Sequence, residues 1–242
     1  MKKLYEKNET VFAILWIVLY VVSAGTVRGN FGDDSPILTA LLAVLCVLMF
    51  VFVKMNSLEE KYGLCKWRGK AGDYLFFIPM LILMTGNLWG GFGMAYDGMG
   101  QVFAVVSMAL VGFAEEMIFR GFLFRILLKK DPAPVAIIIS AVTFGIGHIV
   151  NLFTGHANIE TVVQIFFAIA WGFIMTVVFY KSGSLIVCII VHSLVDVFSK
   201  FKAVGGDQNT PLADYIYMGA TIVGALVYCA YLSRKPAALK KE

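Results

Sequence analysis

Residues 102–128 read VFAVVSMALVGFAEEMIFRGFLFRILL, an apolar run with Glu115, Glu116 and Arg120 set in its middle. At about 1.5 Å of rise per residue, a helix of this length crosses the ~30 Å of hydrocarbon in a bilayer. Ionisable side chains at the centre of such a run are costly, so each is a functional hypothesis in its own right. Working outward, comparable apolar runs lie at 11–27, 37–54, 73–95, 133–153, 160–180, 183–199 and 212–233. The pattern predicts an all-α, polytopic membrane helix bundle of about eight transmembrane helices. Lipid-exposed sheet edges are not viable, and the continuous runs lack the alternation of a membrane barrel.

Composition agrees. Of 242 residues, 60% are hydrophobic and 15% charged, against about 45–50% and about 25% in soluble domains. A net charge of +4, spread between apolar runs, gives no reason to expect a nucleic-acid partner. Cys46, Cys65, Cys188 and Cys229 form no C-x-x-C pair, and three sit inside apolar runs. They read as small buried hydrophobes rather than a disulfide framework or metal site. The first run follows Lys2, Lys3 and Lys7, and Ser23-Ala24-Gly25 is compatible with signal cleavage. The spans that follow favour a retained first helix. No repeat, linker or low-complexity stretch stands out. The expected organisation is one membrane domain over 1–242, with a motif-bearing core at 102–199.

Lys and Arg in short loops set orientation. With the N-terminus in the cytoplasm, sixteen of the 20 Lys and Arg residues fall on the cytoplasmic side. Arg28, Lys200 and Lys202 fall on the other, and Arg120 lies within a span. Both termini are therefore expected to be cytoplasmic. The stretch from Lys54 to Asp73 is the most charged and reads as a solvated cytoplasmic loop with Trp67 at the interface. A basic helix resting on anionic lipid is the alternative.

Three runs carry the chemistry: Glu115-Glu116…Arg120, Phe144…His148 and His192…Asp196. Glu116 and Arg120 are four apart with the acid first, the favoured ion-pair order. Glu115 is turned about 100° from Glu116 in an α-helix, which leaves it available for other work. His192 and Asp196 project the same way, as do Phe144 and His148. Counting ~1.5 Å per residue, Glu115 lies ~20 Å, His148 ~22 Å and His192 ~14 Å from the ends of their runs. All three fall in the middle of the membrane and could meet in one cavity. Gly145 and Gly147 would allow a close helix approach. His156, beside Gly155 and Asn158, reads as a loop residue.

Such a set suits hydrolysis. Glu115 would act as general base on a water nucleophile that His148 also holds, and His192 would donate to the oxyanion. Alternatively Glu115, His148 and His192 would bind a divalent metal, zinc, that activates the water. No H-E-x-x-H occurs, which excludes a zincin arrangement. Taken singly, each element is what an ordinary structural pair or packed histidine looks like. Their occurrence together in three spans points to a peptide-bond hydrolase. A non-catalytic scaffold or immunity protein, and an ion-coupled transporter, are the other readings. The lack of an inverted repeat speaks against the transporter.

The three segments resemble the CPBP family, the CAAX proteases and bacteriocin-processing enzymes also called the Abi family. Its pattern is E-E-x-x-x-R, F-x-x-x-H and H-x-x-x-N or H-x-x-x-D. The resemblance spans Glu115 to Asp196 and implies an eight-helix intramembrane endopeptidase acting on membrane-associated proteins or peptides, in a bacterial plasma membrane. Carried across, Glu115 and His148 activate water, while His192 and Asp196 stabilise the oxyanion. Glu116, Arg120 and Phe144 support them. Members have been described both as metalloproteases and as metal-free glutamate enzymes. The last position here is Asp, where the CAAX-processing enzymes commonly carry Asn. An aspartate donates a hydrogen bond only when protonated, so Asp196 is better suited to orienting His192 or binding metal.

Overall fold

Two of the long helices begin on side-chain caps. Asn8 Oδ1 accepts from the amides of Thr10 and Val11 at 3.0 and 3.1 Å. Ser35 Oγ accepts from Ile37 N at 3.1 Å, with Pro36 opening the first turn. Both devices satisfy amides that a helix start leaves free. The structure, a computed structural model, describes residues 1–65, 75, 77–148, 159–203, 211–234 and 236–239. His156, Lys66, Trp67, Arg68, Lys70 and the end of the 133–153 run lie outside the described residues.

Nine helices form among the described residues: α1 Lys2–Lys7, α2 Glu9–Phe31, α3 Pro36–Met55, α4 Ile78–Met84, α5 Gly98–Lys130, α6 Ala133–Gly147, α7 Ile159–Ser182, α8 Ile186–Ser199 and α9 Pro211–Ser233. No strand is present among them, only an isolated bridge between Phe92 and Lys202. Helices α2, α3, α5, α7 and α9 are long and apolar enough to cross a membrane, and α4, α6 and α8 are shorter apolar helices. Their outer faces carry the apolar excess: on α2, Ile14, Leu15, Val18, Leu19 and Val22 are all exposed. A belt of that kind has lipid as its solvent. The protein is an integral membrane helix bundle.

The run at 73–95 departs from expectation. Past Phe77 it is helical over α4 and a 3-10 turn at Gly86–Leu88, after which the chain is irregular up to Asp97. Glycine explains the break. Gly91 has φ of 118°, open to few other residues, and the ring of Tyr217 occupies the space a Cβ on Gly86 would need. The irregular stretch is instead tied to the end of α8, through Gly93 N to Phe201 O at 2.8 Å and Ala95 N to Lys200 O at 3.1 Å. The run at 183–199 also starts late, because Gly183 (φ 70°) ends α7 in a turn.

Small residues let the site-bearing helices touch. At Gly112 a Cβ would collide with the backbone of Ser193, so α5 and α8 cross in near contact. At Gly145 it would meet Ile169 and the carbonyl of Ile165, which seats α6 on α7.

Described basic side chains pair near the two ends of α2. At one end Lys61 binds Glu9 at 2.8 Å and Tyr5 Oη at 2.7 Å, and Lys130 reaches Thr10 Oγ1 at 2.7 Å. At the other, Asp33 is held by Arg28 Nε and by Lys200 Nζ, both at 2.6 Å. Arg28 belongs to the last turns of α2 rather than to a loop.

Burial pushes the Asp33 carboxyl up, but Arg28 and Lys200 outweigh it and hold it below the ordinary carboxylate value. A carboxyl depressed in the folded state stabilises above its unfolded value, and that contribution is lost as pH falls through the folded one. The melting temperature in detergent is therefore expected to drop from neutral pH toward pH 3. Asp33→Asn should melt lower at neutral pH and flatten the acid side of the profile.

Candidate active site

Glu115 is the last α-helical residue before the geometry of α5 changes. From Glu116 to Phe124 the backbone is a π-helix, and every residue in it is buried. Wide turns of this type cost regular hydrogen bonding and cluster at functional sites. Glu115 and Glu116 both keep α-helical backbone angles, so they point about 100° apart, and they reach one imidazole at its two different nitrogens. Glu116 Oε1 lies 2.7 Å from His192 Nδ1, and Glu115 Oε2 lies 3.6 Å from His192 Nε2.

Glu116 has a second partner, Arg120 Nη1 at 3.0 Å, and neither side chain of that pair is exposed at all. The contact is one of charge more than of alignment. None of the guanidinium nitrogens makes a well-directed hydrogen bond among the described residues. The guanidinium lies over the Phe144 ring, 4.2 Å from its centre, a favourable place for a desolvated cation. Phe144 also meets Phe119, His148 and His192 edge to face.

Glu115 is anchored from a direction that the three motifs do not indicate. Tyr20 on α2 donates its hydroxyl to Glu115 Oε1 at 2.7 Å, and both groups are buried. Asp196 stands one turn beyond His192, with Oδ2 3.5 Å from His192 Nε2. The strong hydrogen bond that orients the imidazole thus comes from Glu116. Asp196 and Glu115 share the other nitrogen. Val195, next to Asp196, accepts a hydrogen bond from Asn87 Nδ2 at 2.8 Å, which pins α8 to the 3-10 turn.

His148 sits at the C-terminal end of α6, its Nδ1 3.3 Å from the carbonyl of Phe144. It lines two cavities. One, of about 50 Å³, is polar and is bounded by Tyr20, Arg28, Glu115 and His148, with Ala24, Gly25 and Phe144 completing the wall. That is room for a few water molecules. The other, of about 100 Å³, is more apolar, with Phe167, Ala168, Trp171 and Met175 facing His148, His192 and Asp196. Phe144 and His148 border both. All seven residues singled out from the motifs are therefore in or beside one buried cluster.

The fit of this cluster to a metal ion can be read from its donors. Among the described residues no three His, Cys, Asp or Glu side chains are grouped so as to hold one. His192 commits one ring nitrogen to Glu116 and turns the other toward two carboxylate oxygens at 3.5–3.6 Å, an ordinary spacing for two ligands of one zinc at ~2.0–2.2 Å each, but no third described donor completes a set. The trio Glu115, His148 and His192 does not form a ready-made zinc site.

Tyr20 and Arg28 are absent from the motif reading. A faint signal existed: Phe12, Trp16, Tyr20 and Ala24 recur every four residues and are the buried stripe of α2.

Residues 98–198 match the model of a protein family described as Type II CAAX prenyl endopeptidase, Rce1-like. No curated protein and no solved structure gives a significant match. The resemblance to the CAAX proteases thus holds over the segment that carries all three motifs.

Proposed function

We propose that the protein hydrolyses a peptide bond in a membrane-associated protein or peptide, with a water in the polar cavity as nucleophile and Glu115 as its general base. The observation that carries this reading is the arrangement around the cavity: Glu115 and His148 line it together, and Glu115 is 3.6 Å from His192 Nε2. Base and water holder share the polar cavity, and His148 shares the second cavity with His192.

In this scheme His148 holds the water while Glu115 takes its proton. The hydroxide adds to the scissile carbonyl, and the C–N bond breaks as the proton passes from Glu115 to the departing amine. The oxyanion forms near His192 Nε2, which must carry a proton to donate to it. Glu116 fixes the tilt of the imidazole, and Asp196 faces the same nitrogen and complements its charge. Arg120 balances Glu116, and Phe144 carries Arg120 on its face. The more apolar cavity would take the substrate chain next to the scissile bond, on the far side of Phe144 from the water. Low dielectric around the site strengthens each of these contacts. No step here is assigned to a metal. The orientation that suits the distribution of Lys and Arg has both termini in the cytoplasm.

The direct test uses full-length protein reconstituted in liposomes with a lipidated reporter peptide carrying a C-terminal CAAX sequence. Mass spectrometry of the products is expected to show one internal cleavage, unaffected by a strong chelator in protein free of transition metal. Activity lost on chelation and restored by zinc would instead put a metal at the centre. Intact peptide with folded protein would favour a non-catalytic scaffold.

A further inference from the structure

We infer that Tyr20, on a helix outside the family-matching segment, is a positioning residue for the general base. The inference rests on the hydrolase reading and adds a residue to it. The cavity has four polar side chains on its wall, and two of them, Tyr20 and Arg28, come from α2. Of these, only Tyr20 is within hydrogen-bond reach of a motif residue. Its hydroxyl, 2.7 Å from Glu115 Oε1, is the closest polar contact that Glu115 makes among the described residues.

A carboxylate has two oxygens and a freely turning terminal torsion. Inside a membrane, with little water to satisfy it, such a group settles on whatever donor is near. Tyr20 takes Oε1 and so selects which oxygen remains. Oε2 is then the one that faces His192 Nε2 and the space beside it. A phenol is a suitable anchor: its ring is buried in the bundle, and its hydroxyl donates a proton that stays on oxygen near neutral pH. The contact joins residues 95 positions apart, so no local constraint produces it. Arg28 lies two turns further along the same face and is held by Asp33 and Lys200 at the end of the bundle. Its charge stands near both Tyr20 and Glu115, but its hydrogen bond goes to Asp33. Orientation of the base therefore falls to the hydroxyl.

The test is Tyr20→Phe, which keeps the ring and its packing and removes one oxygen. With the reporter peptide in liposomes, kcat is expected to fall about 10- to 100-fold, the size of loss seen when the partner of a functional ligand is removed, while KM stays within about twofold. A purely structural role would lower both the folded fraction and apparent affinity instead. A second readout does not depend on turnover. A hydrophobic carbodiimide labels carboxyl groups within membranes, and the peptide containing Glu115 is identified by mass spectrometry. Freeing Oε1 should raise labelling of Glu115 in Tyr20→Phe severalfold over wild type. Unchanged labelling together with unchanged kcat would overturn the inference and leave the protease reading intact. Raised labelling in a protein that cleaves nothing would retain the Tyr20–Glu115 coupling and remove the reaction assigned to it.

Discussion

Glu115→Gln is expected to reduce turnover by roughly 100- to 10,000-fold, the span that a positioned general base contributes. The substitution is close to isosteric. The amide oxygen can still accept from Tyr20, and the side chain stays the same length, so the bundle should fold and melt as wild type does. What disappears is the capacity to take a proton from water. Because that proton moves only in the transition state, kcat and kcat/KM should fall together, with KM nearly unchanged. The same change at Glu116 would read differently. Glu116 touches Arg120 and His192 but lines neither cavity, so Glu116→Gln should lower stability as well as rate. Turnover by Glu115→Gln above a tenth of the wild-type value, measured on peptide release, would exclude the residue as base.

The second large effect concerns the buried pair. Arg120→Leu removes the cation from a carboxylate with no exposed surface. Breaking such a pair from one side costs about 3–5 kcal/mol, most of it the burden of the charge left behind. His192 remains beside Glu116 at 2.7 Å and would relieve part of this. Unfolding in mixed detergent should show the loss. The double variant Arg120→Leu/Glu116→Leu should recover part of it, because both buried charges are removed together, although His192 Nδ1 then loses its partner at 2.7 Å. Arg120→Lys keeps the charge but not the flat cation lying on Phe144 and should fall between. Additive losses in the double variant would show that the two side chains contribute independently, contrary to the geometry.

The motif residues were legible because membrane burial makes charge conspicuous. Glu115, Glu116, Arg120, His192 and Asp196 stand out in apolar runs, and their similar depth allowed them to meet. The π-helical turn from Glu116 to Phe124 was not legible. Nothing in local composition distinguishes that turn. The part played by α2 was hidden for a different reason. In a soluble helix the apolar stripe reveals the buried face, but lipid accepts apolar side chains on the opposite face too, so Tyr20 and Leu19 look alike in their surroundings. Only the partner, 95 residues away, separates them. The interrupted helix at 78–88 was foreshadowed by its glycines, although its docking onto the end of α8 depends on backbone contacts that side-chain pattern does not encode.

The closing of the polar cavity by α2 bears on how the molecule can be divided. The stretch that matches a known family, 98–198, reads as though it were a portable module. Excised from the chain, it would open the water chamber to acyl chains and strip its acid of the phenol that aims it. Grafts and minimal versions of the protein must therefore bring the first long helix along, in register, as part of the working unit.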